Sequence, residues 1–256
     1  MILKRRVLLK RGLAALASIP LFAKYAKGQA DEQTCHGRVT PSQAEGPFYP
    51  QSRNWEADQD LTVTDKNSGG IAKGWKLILA GQVVGENCEF ISGAKVEIWQ
   101  ADTNGRYNHS ADPRRRRGKL DSSFQYYSRV FSDKEGAFSF KTIKPGAYPA
   151  SRNWVRPPHI HVKVWANGYF PLITQIYFEP ADTDLDTFDR DCLKADSALR
   201  KLFTAGNAKA ATQYVHDKDS IIRRTGEARA DVILKSEVEK DGTPVFGFRV
   251  TLKKAP

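Results

Sequence analysis

Arg156-Pro157-Pro158-His159-Ile160-His161-Val162-Lys163-Val164-Trp165 is the stretch that decides the fold. Its last seven residues alternate in period two and are rich in β-formers, which predicts a strand. Side chains two apart on a strand point to one face, so His159 and His161 can reach the same point in space. Pro157 and Pro158 break any ladder ahead of the histidines, and period therefore does not place Arg156. Upstream, Pro145-Gly146 marks a turn that delivers Tyr148 from the preceding strand. A tyrosine, an arginine and a His-x-His pair thus share residues 145–161. Taken alone, the His-x-His pair also fits a core strand with two hydrogen-bonded histidines.

Outward from this stretch, short β-rich runs recur between Gly, Asn and Asp. Runs are expected at 77–84, 94–99, 126–131, 137–143, 159–165 and 173–178. Asp133-Lys134-Glu135-Gly136 turns the chain between two of them. Two more runs, 230–234 and 245–250, flank Asp241-Gly242 as a hairpin. Residues 181–222 place Leu185, Phe188, Leu193, Leu199 and Leu202 among charges, which predicts one or two short helices or ordered loops. The expected class is all-β: an antiparallel β-sandwich with long loops and one or two short helices. One domain over residues 61–256 is expected, preceded by an extended arm over 31–60 rich in turn residues.

The first thirty residues differ from the rest. They hold four Lys, three Arg and no acid, and Arg5-Arg6-Val7-Leu8-Leu9 precedes an apolar run from Gly12 to Phe22. That run is too short to span a bilayer. The pattern is that of a twin-arginine export signal ending near Gly28-Gln29-Ala30, which implies a periplasmic or extracellular protein. Without these residues the formal charge falls from +11 to +4, so most of the basicity belongs to targeting. Arg114-Arg115-Arg116-Arg117 remains, read as a solvated loop able to draw in anions. No basic face interleaved with aromatics supports nucleic-acid binding. Cys35, Cys88 and Cys192 form no C-x-x-C motif, and in an exported chain they allow one disulfide and one free thiol.

Four motifs in order carry a resemblance. Val96-Glu97-Ile98-Trp99-Gln100-Ala101-Asp102 with Gly105-Arg106-Tyr107 resembles the intradiol ring-cleavage dioxygenases, and so does Thr142-Ile143-Lys144-Pro145-Gly146-Ala147-Tyr148-Pro149. Arg156 to His161 and Thr174-Gln175-Ile176-Tyr177-Phe178 complete the match, which is closest to the protocatechuate 3,4-dioxygenases. The resemblance implies a non-haem Fe(III) held by Tyr107, Tyr148, His159 and His161, with Tyr148 the ligand released when substrate binds. It also implies that Arg156 and Gln175 line the substrate position. The substrates implied are an aromatic vicinal diol, best guessed as protocatechuate, and O2, with a cis,cis-muconate-type diacid as product. A second copy or a related partner chain is a further implication.

The chemistry of that donor set is consistent. Fe(III) is a hard acid, and phenolate is a hard anionic donor. Two tyrosinates and a hydroxide balance a 3+ ion, so a buried site is formally neutral. A departing phenolate is also a proton acceptor for the diol, and no separate histidine base is required. The chain departs from the protocatechuate pattern at Ala150, where those enzymes carry a tryptophan. Catechol 1,2-dioxygenases carry a sizeable helical domain before the sandwich, and the roughly forty-five residues between the expected signal and Trp75 favour the protocatechuate branch over that one. Two other readings compete. One is a zinc or Fe(II) enzyme using His109, His159 and His161. The other is a non-catalytic transthyretin-like β-sandwich binding module, which shares the strand pattern but not the tyrosines.

Overall fold

Alternation in one strand builds the core and the site together. The computed structural model describes residues 37–51, 58–65, 69–114, 118–181, 187–238 and 241–256. The expected export signal and Cys35 lie outside the described residues, as do Arg115, Arg116 and Arg117. Eleven strands are described: β1 Lys76–Gly85, β2 Lys95–Gln100, β3 Tyr127–Phe131, β4 Ala137–Ile143, β5 Tyr148–Ser151 and β6 Trp154–Arg156. They continue as β7 His159–Trp165, β8 Leu172–Phe178, β9 Ile233–Leu234, β10 Ser236–Val238 and β11 Pro244–Leu252. A four-stranded sheet runs β10-β11-β1-β4, a five-stranded sheet runs β3-β2-β7-β8-β9, and β5 pairs with β6.

Ile160, Val162 and Val164 of β7 enter the main core with Val96 and Ile98 of β2. They meet Leu77, Leu79 and Val83 of β1, Phe140 of β4, and Phe248 and Val250 of β11. The intervening residues His159, His161 and Lys163 take the opposite face of the five-stranded sheet. The sandwich is as expected, with two differences in pairing. β1–β11 and β8–β9 are parallel. The hairpin at Asp241-Gly242 joins β10 to β11 rather than 230–234 to 245–250. Residues Gly226–Asp231 instead form a 3₁₀ turn, which shortens β9 to two residues.

The segment between β8 and β9 is more helical than expected. It holds α1 Arg190–Ala195, α2 Ser197–Thr204, α3 Ala208–Lys218 and α4 Ser220–Arg223. Each is N-capped by a side chain, in turn Asp189, Asp196, Asn207 and Asp219. Asp and Asn are favoured there because they accept from the unpaired N–H groups of the first turn. Phe188, Cys192, Leu199, Ala211 and Val215 form a second core with Ala147 and Val155. The helices thereby clamp β5 and β6 beside Tyr148 and Arg156. Cys88 is disulfide-bonded, whereas Cys192 is a free, buried thiol. No helix among the described residues is long and apolar enough to cross a membrane.

Candidate metal centre

Strand register assembles the site on the outer face of the five-stranded sheet. His161 stands opposite Trp99 of β2 and Gln175 of β8. His159 stands opposite Tyr177. Tyr148 and Arg156 are direct partners across β5–β6, which is how a residue isolated by two prolines reaches the site. Tyr107 comes from the loop after β2. Asp102 shapes that loop by accepting the N–H groups of Asn104 and Arg106 at 2.8 and 3.1 Å. Gly105 has φ +69°, and a Cβ there would collide with the Ala147 carbonyl. Glycine therefore lets the Tyr107 loop dock against the Tyr148 strand.

The four expected ligands come together and are all buried: Tyr107, Tyr148, His159 and His161. The Tyr107 and Tyr148 phenol oxygens each lie 3.4 Å from His159 Nε2. His159 Nδ1 lies 2.7 Å from the Pro157 carbonyl. A carbonyl only accepts, so Nδ1 carries the proton and Nε2 turns its lone pair toward the phenols. The His159 and His161 rings are 4.9 Å apart. The Nδ1 of His161 is buried with no hydrogen-bond partner. His109 stays apart: its Nδ1 accepts the Ala111 N–H at 3.1 Å. Among the described residues no group of three His, Cys, Asp or Glu is placed to hold a metal. The His109–His159–His161 triad of the zinc or Fe(II) alternative is therefore not assembled.

Residues 41–50 strap across this face. Gln43 N–H donates to the Ile173 carbonyl at 2.8 Å, and Lys163 pairs with Glu45 at 3.0 Å. Gly46, at φ +73°, passes so close to His161 that a Cβ would sit 3.3 Å from its Cε1. Phe48 stacks on Tyr107 with ring centroids 4.5 Å apart. The strap shields the histidines and Tyr107 from solvent on this side.

Comparison with known proteins gives the relationship. The sequence model of the family described as Dioxygenase matches residues 44–214. The chain belongs to the intradiol ring-cleavage dioxygenases. It is similar to the protocatechuate 3,4-dioxygenase beta chain of Burkholderia cepacia, 38% identical over 53% of this chain and 57% of that one. It is also similar to the catechol 1,2-dioxygenase of Acinetobacter baylyi, 31% identical over 54% of this chain and 46% of that one. The chain thus spans about half the length of these two relatives. Among solved structures it resembles an intradiol ring-cleavage dioxygenase from Tetranychus urticae, with TM-score 0.55 and 22% identity over 84% of this chain and 95% of that one. The 3-chlorocatechol 1,2-dioxygenase of Rhodococcus opacus gives 0.54 at 20% identity, over 94% and 84%. At such identity these structures support the fold.

Intradiol dioxygenases generally use non-haem Fe(III), and the four residues fit that ion. The set is two phenols and two imidazoles without thiolate, which suits a hard trivalent cation. Burial, then the neighbouring Tyr148 phenol, pushes the Tyr107 phenol well above its ordinary value. Burial also raises Tyr148, against the pull of Arg156 and Arg114. Burial and then Arg156 hold His159 and His161 far below the usual imidazole range. Two neutral imidazoles, one with an unpartnered buried nitrogen, beside two buried phenols make a donor set suited to a cation.

Arg156 and Gln175 also reach the site. Arg156 Nη2 donates to Gln175 Oε1 at 2.7 Å, and Gln175 Nε2 donates to the Ala44 carbonyl at 2.8 Å. The sequence reading missed the partner of Arg156: Asp219 Oδ2, 2.6 Å from Nε. It also misread Arg114 as part of a solvated loop. Arg114 is buried and lies over the Tyr148 ring at 4.3 Å. It forks onto Asp112, whose Oδ2 accepts the Tyr107 N–H at 2.7 Å. The Asp-Pro-Arg order was visible, but a run of four arginines looks like a solvated loop until a buried carboxylate is found for the first.

Proposed function

We propose that the protein is a non-haem Fe(III) dioxygenase that cleaves a catechol-type ring between its two hydroxylated carbons with O2, giving a cis,cis-muconate-type diacid. The observation that carries this reading is the approach of both phenol oxygens to His159 Nε2. A transthyretin-like binding module has no need of that convergence. Tyr107, Tyr148, His159 and His161 would hold the iron, which when bound supplies Lewis acidity that draws electron density from a chelated diol.

The chain's own groups do the rest. Tyr148 would be held as a phenolate by the iron, and its Oη would then be able to accept a proton from the diol, so one residue would serve as ligand and base. Arg156 presents a fixed positive charge to the negative charge that develops on the ring oxygen. Gln175 holds Arg156 on one side and is itself fixed by the Ala44 carbonyl. Gly46 and Phe48 keep water from His161 and Tyr107, which strengthens each of these interactions.

For the substrate, a substituted catechol is proposed, with protocatechuate the best single choice and catechol or hydroxyquinol behind it. Similarity to the Burkholderia beta chain supports protocatechuate. Ala150, exposed on β5 where the protocatechuate pattern has tryptophan, argues for a wider mouth. Related alpha and beta chains among the relatives support assembly with a second copy or a partner chain. Export is proposed from residues 1–30 alone. Iron analysis tests the site. The purified protein is expected to hold about one iron per chain and to be reddish, and Tyr107→Phe or His161→Ala to lose iron by removing a donor. A colourless protein filled with zinc would contradict the reading.

A further inference from the structure

The buried carboxylate opposite Arg156 lies outside the family match, which ends at residue 214. Asp219 is wholly inaccessible to solvent, and Arg156 is nearly so. One carboxylate oxygen, Oδ2, takes Arg156 Nε at 2.6 Å. The other, Oδ1, accepts the N–H groups of Ile221 and Ile222 at 2.9 and 3.0 Å and so caps α4. Asp219 is thereby fixed to the start of a helix while it grips the guanidinium. Behind it, α3 packs Ala211 and Val215 into the second core with Val155, the residue before Arg156.

The guanidinium is planar, and Nε and Nη2 share one edge. Asp219 holds Nε, and Gln175 and Tyr177 hold Nη2 at 2.7 and 3.4 Å. Nη1 takes part in none of these bonds. A buried arginine without a counter-charge would be strongly destabilising, and one held by a single bond would be free to turn. Asp219 answers both needs. Its negative charge also offsets that of Arg156, which would otherwise work against binding of a 3+ ion beside it.

We infer that Asp219 is a positioning residue for ring cleavage: it fixes the orientation of Arg156 from the helical segment, so that the arginine meets developing charge without reorganising. This rests on the proposed function, in which Arg156 stabilises that charge. Preorganised donors act strongly because their orientation is settled before reaction.

The test uses the full iron-loaded protein and Asp219→Asn, Asp219→Ser, Arg156→Ala and Arg156→Ala/Asp219→Asn. Asparagine and serine are both good N-caps, so α4 keeps its cap while Arg156 loses its anionic partner. Asp219→Asn and Asp219→Ser are expected to retain iron, visible colour and helical circular dichroism. Their kcat with the best catechol is expected to fall about 10- to 100-fold, the scale for losing a charged hydrogen bond, with a smaller change in KM. The double variant is expected to be no slower than Arg156→Ala, because Asp219 acts through Arg156. In the iron-free proteins, the loss of Tm in the double variant is expected to be smaller than the sum of the single losses. Wild-type kcat in Asp219→Asn, or losses that multiply in the double variant, would overturn the assignment while leaving the enzyme reading intact. A wild-type protein that cleaves no catechol would overturn both.

Discussion

Trp99 lies flat against His161, their ring centroids 4.7 Å apart and their planes 8° apart. The two are register partners on adjacent strands, so the stack follows from pairing and from the outward face that both residues share. Tyr49 meets the indole edge-on at 5.0 Å. The His161 ring thus has an orientation fixed by packing, although its Nδ1 has no hydrogen-bond partner. Trp99→Phe is expected to loosen iron about tenfold, at the lower end for residues that orient a ligand. The rate of iron loss to a chelator checks this, and an unchanged rate would show that the stack is packing alone.

Arg156→Ala is expected to keep iron and colour while turnover falls by about 10²–10³, the scale for losing one preorganised charge donor. It also leaves Asp219 buried without its counter-charge, at an expected cost of about 3–5 kcal/mol in stability. Arg156→Lys separates the two effects. It retains the charge and more of the stability, but a single ammonium cannot span Asp219 and Gln175 as the fork does. Steady-state kinetics and thermal unfolding of both variants distinguish them, and normal turnover in Arg156→Ala would remove Arg156 from the chemistry.

The two histidines predict an acid sensitivity in the iron-free protein. Burial, then Arg156, lowers both below the ordinary value of 6.5. As pH falls below 6.5 the unfolded chain binds protons that the folded chain refuses. Stability is therefore full above that pH and is lost as pH falls toward the folded values. The slope is up to about 1.4 kcal/mol per pH unit for each histidine. Denaturant unfolding of the iron-free protein between pH 7.5 and pH 5, at about half-unit steps, measures it. His161→Phe is expected to reduce the slope, and stability that rose on acidification would contradict the account.

These residues also show which parts of the structure were legible in the chain. His159 and His161 were readable because strand period puts both on one face, and the same alternation announced the sandwich. Arg156 was readable by motif but not by period. Its partner was not, since Asp219 lies 63 residues further on and belongs to a helix. The helices were underestimated because they are short and their apolar stripes are narrow. Their four Asp or Asn caps were the available signal. Arg114 was hidden by its own neighbours, and a basic run gives no sign that one member is buried on an aromatic ring. Parallel pairing of β1 with β11 joins opposite ends of the domain, and no local pattern announces it.

The central claim is intradiol cleavage, and the product of turnover tests it most directly. Iron-loaded protein is to be supplied with O2 and a panel of protocatechuate, catechol, hydroxyquinol and a monophenol, and the products identified by mass and ultraviolet spectrum. The account predicts oxygen uptake with at least one vicinal diol and none with the monophenol, which cannot chelate. It predicts a ring-opened cis,cis-muconate-type diacid carrying both atoms of O2. A product opened beside the diol rather than between its hydroxyls, or no uptake with any member of the panel, would contradict it.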